Sequence, residues 1–298
     1  MPDFLAHSVF GEMLMAAPQV QPAIPGEREL APWRWGLQGP DPFFFRTSTS
    51  PAGGMMHRSA PEGMFEAMAA RLALLQGPVR DTAAAWLHGF LGHYILDRTV
   101  HPYVLARQEE LAPLLPGASG NACHYQVETD MDADLCLHFH HQPVSAFRPG
   151  REMTLEPWQK ETIAGMLAAG AAAKGATVPV LEGIKALEST AMTQQIIFRG
   201  GKPALAAARG LELLMGKNRQ FTSHMKGRRP GWDSLNLGHA PWTDPRDGST
   251  RTQSVPELLQ AALAEALPLM EALSRQLAGE ESGELALGGV DFSGFFQR

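Results

Sequence analysis

Gly89-Phe90-Leu91-Gly92-His93-Tyr94-Ile95-Leu96-Asp97-Arg98-Thr99-Val100-His101 spaces three metal-binding side chains four residues apart. On a helix each four-residue step turns the face by only about 40°, so His93, Asp97 and His101 share one stripe. Apolar residues flank it (Trp86, Phe90, Leu91, Ile95), and charged groups enter such surroundings only when paired or metal-bound. Cys123-His124-Tyr125-Gln126-Val127-Glu128 repeats the pattern as His-x3-Glu, with Asp132 one step further and Val127, Leu135 and Leu137 alongside.

Outward from these stripes the pattern is helical almost everywhere. Helices are expected near 8–17, 61–76, 78–101, 119–141, 156–173, 178–189, 191–216 and 255–278. Pro102 should end or kink the third of these, and Ser119 is a candidate N-cap for the fourth. Residues 22–60, rich in Pro, Gly, Trp and Phe, read as irregular, and 218–254 as a long polar stretch without periodicity. Phe292, Phe295 and Phe296 in the Gly-rich tail are candidates for docking. With no period-2 series and no βα alternation, the fold class is all-α, a multi-helix bundle in one domain over 1–298. Its metal-site half is about 1–142; the C-terminal helices and long loop occupy 143–298.

The 298 residues carry 25 Lys and Arg against 31 Asp and Glu, a net −6. That balance argues against a broad nucleic-acid surface, and 44% hydrophobic residues argue against disorder. Cys123 and Cys136 fall on different sides of one helix and should not bridge. No basic and apolar leader opens the chain, and no run of about 18 apolar residues would cross a membrane. A cytoplasmic protein is expected.

His93 and His101 lie eight residues apart, roughly 12 Å of helix rise, so one ion with bonds near 2.1 Å struggles to reach both. Five donors (His93, Asp97, His101, His124, Glu128) exceed the three that a catalytic zinc takes from protein, favouring two or more ions. A His, Asp and Glu set without Cys suits zinc, with manganese or iron possible. HExxH, Glu-x-x-His, an adjacent His-Asp pair, a P-loop and GxGxxG are all missing. His138 falls near the His124 stripe; His140 and His141 point elsewhere.

The ordered set His7, Asp41 in Gly39-Pro40-Asp41-Pro42, His57, His93-x3-Asp97, His101-Pro102-Tyr103 and His124-x3-Glu128 resembles the zinc-dependent phospholipase C family, related to the P1/S1 nucleases. It spans about residues 2–132. Asn236-Leu237-Gly238-His239-Ala240-Pro241-Trp242 is also similar to a segment of intracellular relatives. The resemblance implies a largely helical fold with two to three Zn²⁺ ions: one on Asp41, His57, His93 and Asp97, one on His101, His124 and Glu128, one on His7 with Asp97 bridging. It implies a phosphoester hydrolase, a phospholipase C-like phosphodiesterase acting through zinc-activated water on a phosphodiester, with a phospholipid as the candidate substrate. Asp41 is then both ligand and the group that orients or deprotonates the water. Phe43, Phe44 and Phe45 offer an apolar wall for a lipid or choline head group, or belong to the core. The alternatives are a single-strand nuclease or nucleotidase of the same superfamily, and a non-catalytic zinc-stabilised scaffold.

Overall fold

A computed structural model describes residues 4–115, 117–148, 153–199, 202–215, 222–225, 230–280 and 285–296. Among them are ten α-helices: α1 (Phe4–Met15), α2 (Glu27–Gly36), α3 (Ser50–His57), α4 (Glu62–Ala73), α5 (Gly77–Leu111), α6 (Gly120–His140), α7 (Pro157–Ala173), α8 (Val180–Arg199), α9 (Lys202–Leu214) and α10 (Val255–Ala278). The only sheet among these residues is an antiparallel pair, β1 (Trp242–Thr243) and β2 (Thr250–Arg251), inside the stretch expected to lack structure. The all-α class holds. No described helix is long and apolar enough to cross a membrane.

The centre of the fold is α5. Trp86, Phe90, Leu91, Tyr94, Ile95 and Tyr103 point to different sides of it and are all fully buried, as befits a helix surrounded by other elements. The helices α1, α2, α4, α6, α7 and α10 all pack on it. The approach of α2 is set by paired glycines: a Cβ on Gly36 would lie 2.1 Å from the Trp86 carbonyl, and one on Gly89 would lie 2.3 Å from the Trp33 carbonyl.

Several expectations need correcting. α5 continues through Pro102 to Leu111 instead of stopping at His101. Proline forfeits the bond to the Arg98 carbonyl, and that carbonyl faces Gly294, where an added Cβ would be only 2.8 Å away. Buried neighbours on every side keep the turn helical. The expected break at residue 190 is absent, because the Thr190 hydroxyl donates to the Ala186 carbonyl (2.8 Å) inside a continuous α8. The 22–60 stretch is largely ordered as α2, a 3₁₀ turn over Asp41–Phe45 and α3; burial of Trp33, Trp35 and Phe43 overrides its Pro and Gly content. Residues 156–173 and 255–278 are helical as expected, and Ser119 caps α6 by accepting from the Ala122 amide.

Candidate metal centre

Five elements deliver the ligand-type side chains. His93, Asp97 and His101 come from α5, His124 and Glu128 from α6, His7 from α1, His57 from the end of α3, and Asp41 from the 3₁₀ turn after α2. Two devices place the parts that arrive from far away in sequence. Asp132, the third step of the α6 ladder, is fully buried and accepts the Leu5 and Ala6 amides (2.9 Å each) at the start of α1. A carboxylate there satisfies orphan donors and complements the helix dipole, so α1 is pinned with His7 turned inward. Gly39 has φ +49°, and a Cβ on it would lie 2.2 Å from the His93 ring. Only glycine allows both that backbone and that closeness, and the turn it makes aims Asp41 at the site.

His7, Asp41, His57, His93 and Asp97 converge on one point. His57 Nε2 is 3.0 Å from Asp41 Oδ1 and 4.0 Å from Asp97 Oδ2. His93 Nε2 is 3.3 Å from Asp97 Oδ2 and 3.9 Å from Asp41 Oδ1. His7 Nε2 is 3.3 Å from the other oxygen of Asp97, and its ring stacks on His93 at 4.3 Å. Asp97 thus turns one oxygen to each side, as a bridging carboxylate would. On the neighbouring turn His124 Nε2 lies 3.0 Å from Glu128 Oε1 and 3.3 Å from His101 Nε2.

The tautomers sharpen the picture. His57 Nδ1 donates to the Gly53 carbonyl (2.8 Å) and His93 Nδ1 to the Leu37 carbonyl (3.1 Å). A carbonyl can only accept, so these rings carry their proton on Nδ1 and, when neutral, direct an Nε2 lone pair at a carboxylate. Burial keeps both rings neutral: it pushes the His57 imidazole down to about 4 and lowers that of His93. Burial lifts the Asp41 carboxyl well above the usual carboxylate range. Burial would lift Asp97 too, but positive charge or a donated proton on its His93 and His7 side outweighs it and holds Asp97 well below that range. A proton on Asp41 would relieve its contact with His57; the ionised Asp97 still faces the His93 lone pair. Seven buried polar atoms on these five residues have no hydrogen-bond partner: both ring nitrogens of His7, Nε2 of His57 and His93, Oδ1 of Asp41 and both oxygens of Asp97. Buried polar atoms are rarely left so.

A cation between these donors converts the repulsion into coordination. Four ligands around zinc with bonds of 2.0–2.1 Å stand about 3.3 Å from one another, close to the separations above. Three groups meet the distance requirement for a shared ion: His7, His93 and Asp97; Asp41, His57 and His93; His101, His124 and Glu128. The residues fit a metal centre. The outer contacts from Nδ1 of His57 and His93, and the 2.8 Å contact of His124 Nδ1 with Gln108 Oε1, are of the kind that orient metal-bound imidazoles.

All eight expected ligands therefore fall into these groups. Of the aromatic trio, Phe43 is fully buried, Phe45 is half-buried, and Phe44 is exposed with its ring 5.0 Å from His57. His138 is exposed beside Phe139, and His140 pairs with Glu12 (2.9 Å). His239 is exposed, 3.4 Å from Glu257. Pro2 and Asp3 of the opening motif, and residues 218–221 and 226–229 of the polar stretch, lie outside the described residues. Sequence reasoning missed the roles of Gly39, Leu37, Gly53, Gln108 and Asp132; of the tail phenylalanines expected to dock, Phe292 does so against the site while Phe296 is exposed. The Phe292 ring is fully buried against His57, His93 and Phe90, with its amide donating to the His57 carbonyl (3.2 Å). Gln108, seven residues beyond His101 on the same helix face, was the most findable of them.

Comparison of the chain with models of known families, with curated proteins and with solved structures returns no match.

Proposed function

We propose that this cluster is a divalent-metal centre suited to zinc, and that the protein is a metal-dependent phosphodiesterase of the phospholipase C and P1/S1 nuclease kind. The observation that carries the reading is the pairing of buried, neutral histidine lone pairs with the oxygens of Asp41 and Asp97. Asp41, His57, His93 and Asp97 would hold one ion, His101, His124 and Glu128 a second, and His7 with Asp97 a third. Such ions supply Lewis-acid polarisation of a phosphoryl oxygen and an acidified water at neutral pH.

The chain's own groups divide the remaining work. Asp41 is the acceptor best placed to orient the attacking water and take its proton: its side chain is 14% exposed, whereas Asp97 is fully buried and Glu128 nearly so. The Nδ1 contacts of His57 and His93 fix both rings, so little reorganisation is needed when substrate arrives. Phe292 and Phe90 seal the floor against water. Phe44, exposed beside His57, is the part of the aromatic run available to an apolar substrate group. The free, buried thiols of Cys123 and Cys136 are in keeping with a reducing, cytoplasmic setting.

The test is hydrolysis of a panel holding a chromogenic phosphodiester, phosphatidylcholine vesicles and a single-stranded oligonucleotide. The reading expects phosphodiester cleavage that a chelator abolishes and Zn²⁺ restores; preference for the oligonucleotide would move the substrate to nucleic acid. Stoichiometric metal without turnover on any member would leave a metal-stabilised scaffold.

A further inference from the structure

A cavity of about 200 Å³ opens between α7, α8 and the chain around Met153, and none of the eight ligand-type residues lines it. One water needs only about 10–15 Å³. Trp35, Met153, Leu155 and Leu187 give the cavity a buried apolar lining, and Ala191 continues it along α8. The Trp35 indole N–H is committed to the Met153 carbonyl (2.8 Å), which leaves the ring only apolar surface to offer. Charge is cancelled as well. Lys160 and Glu188, the charged residues of the lining, pair with each other at 2.8 Å.

One polar group is left over. Gln194 lines the cavity and is 7% exposed, and its carboxamide has no hydrogen bond to any described residue. A carboxamide carries an acceptor oxygen beside two N–H donors, and buried polar groups are rarely left without partners. Water is a poor filling here, because each ordered water needs two to four polar partners and the buried walls are apolar.

We propose that this cavity binds a small neutral molecule consisting of a flat apolar ring with a carboxamide or lactam edge, and that this edge pairs with Gln194. A donor set beside an acceptor is the complement of a glutamine amide, which sets the same two side by side. A carboxylate or phosphate would have to part Lys160 from Glu188 or enter unpaired, and burying an unpaired charge is costly. A plain hydrocarbon would fill the space and leave the amide unsatisfied. The proposal does not rest on the metal reading.

Titration of the full chain with benzamide, benzoate and acetophenone tests it, followed by NMR shifts of the backbone amides and of the Gln194 side-chain amide. The three compounds share a ring, and only benzamide carries a donor beside an acceptor. Benzamide should bind with a Kd of about 1 mM or below, shifting Ala191 and Gln194, and the other two about tenfold more weakly. Gln194→Met, close in shape but without the amide, should erase that preference. Its melting temperature should equal or exceed that of wild type, because the amide removed has no partner. No shift at Gln194 with about 10 mM benzamide, equal affinity for the three compounds, an undiminished preference in Gln194→Met, or a lower melting temperature in that variant would each overturn the proposal.

Discussion

His57 directs Nε2 at Asp41 Oδ1 across 3.0 Å while its Nδ1 proton is committed to the Gly53 carbonyl. With His93 set against Asp97 in the same way, the protein buries ring lone pairs against carboxyl oxygens, an arrangement that costs stability unless a proton or a metal cation lies between them. The consequences can be measured one residue at a time.

Asp41→Asn keeps a ligand oxygen but removes the proton acceptor. Turnover of a phosphodiester should fall by about 10²–10⁴-fold, with most of the metal retained. Wild-type rates in this variant would remove Asp41 from the chemistry.

Gly39→Ala forces a side chain into a left-handed backbone and against the His93 ring. A loss of about 1–3 kcal/mol in the metal-free protein is expected, along with depletion of the ion held by Asp41, His57 and His93. Denaturant unfolding and metal analysis read the two effects. Unchanged values in both would mean that the turn does not position the site.

The α5 and α6 ligands were legible in the sequence because helical periodicity puts residues four apart on one face. His7, Asp41 and His57 had no such local rule; the order of the whole set singled them out, and folding alone brings them within reach. What was hidden involves partners distant in the chain. Leu37 meets His93 through its backbone, which leaves no trace in residue type, and Asp132 serves an amide 127 positions away. Pro102 misled because local propensity yields to burial on every side of α5. The aromatic stretch around Trp33 misled for a related reason: its Pro and Gly content signals loop, while its tryptophans are core.

Asp132→Ala removes two charge-assisted bonds from the start of α1. Stability should drop by about 1–2 kcal/mol, and the ion shared by His7 and Asp97 should be lost before the others. Equal loss from all groups would indicate general unfolding rather than release of α1.

His88 supplies a test of pH dependence away from the ligands. Burial pushes its imidazole from the ordinary 6.5 down to about 4, while Nδ1 donates to the Ala84 carbonyl and Nε2 meets the Ser274 hydroxyl. The unfolded chain therefore binds a proton that the folded protein refuses. Stability from this group is complete above pH 6.5 and declines as pH falls towards 4, by about 3 kcal/mol in all. NMR titration should show His88 neutral at pH 5, and His88→Gln should flatten the decline of stability between pH 6.5 and 4. A His88 midpoint near 6.5 would contradict the assignment.

The most direct measurement is the metal content of protein purified without chelator, by elemental analysis. About two to three equivalents of a divalent ion, zinc foremost, are predicted, with His93→Ala and His124→Ala each losing metal. Less than one equivalent of any metal, with both variants as stable as wild type, would contradict the metal centre itself.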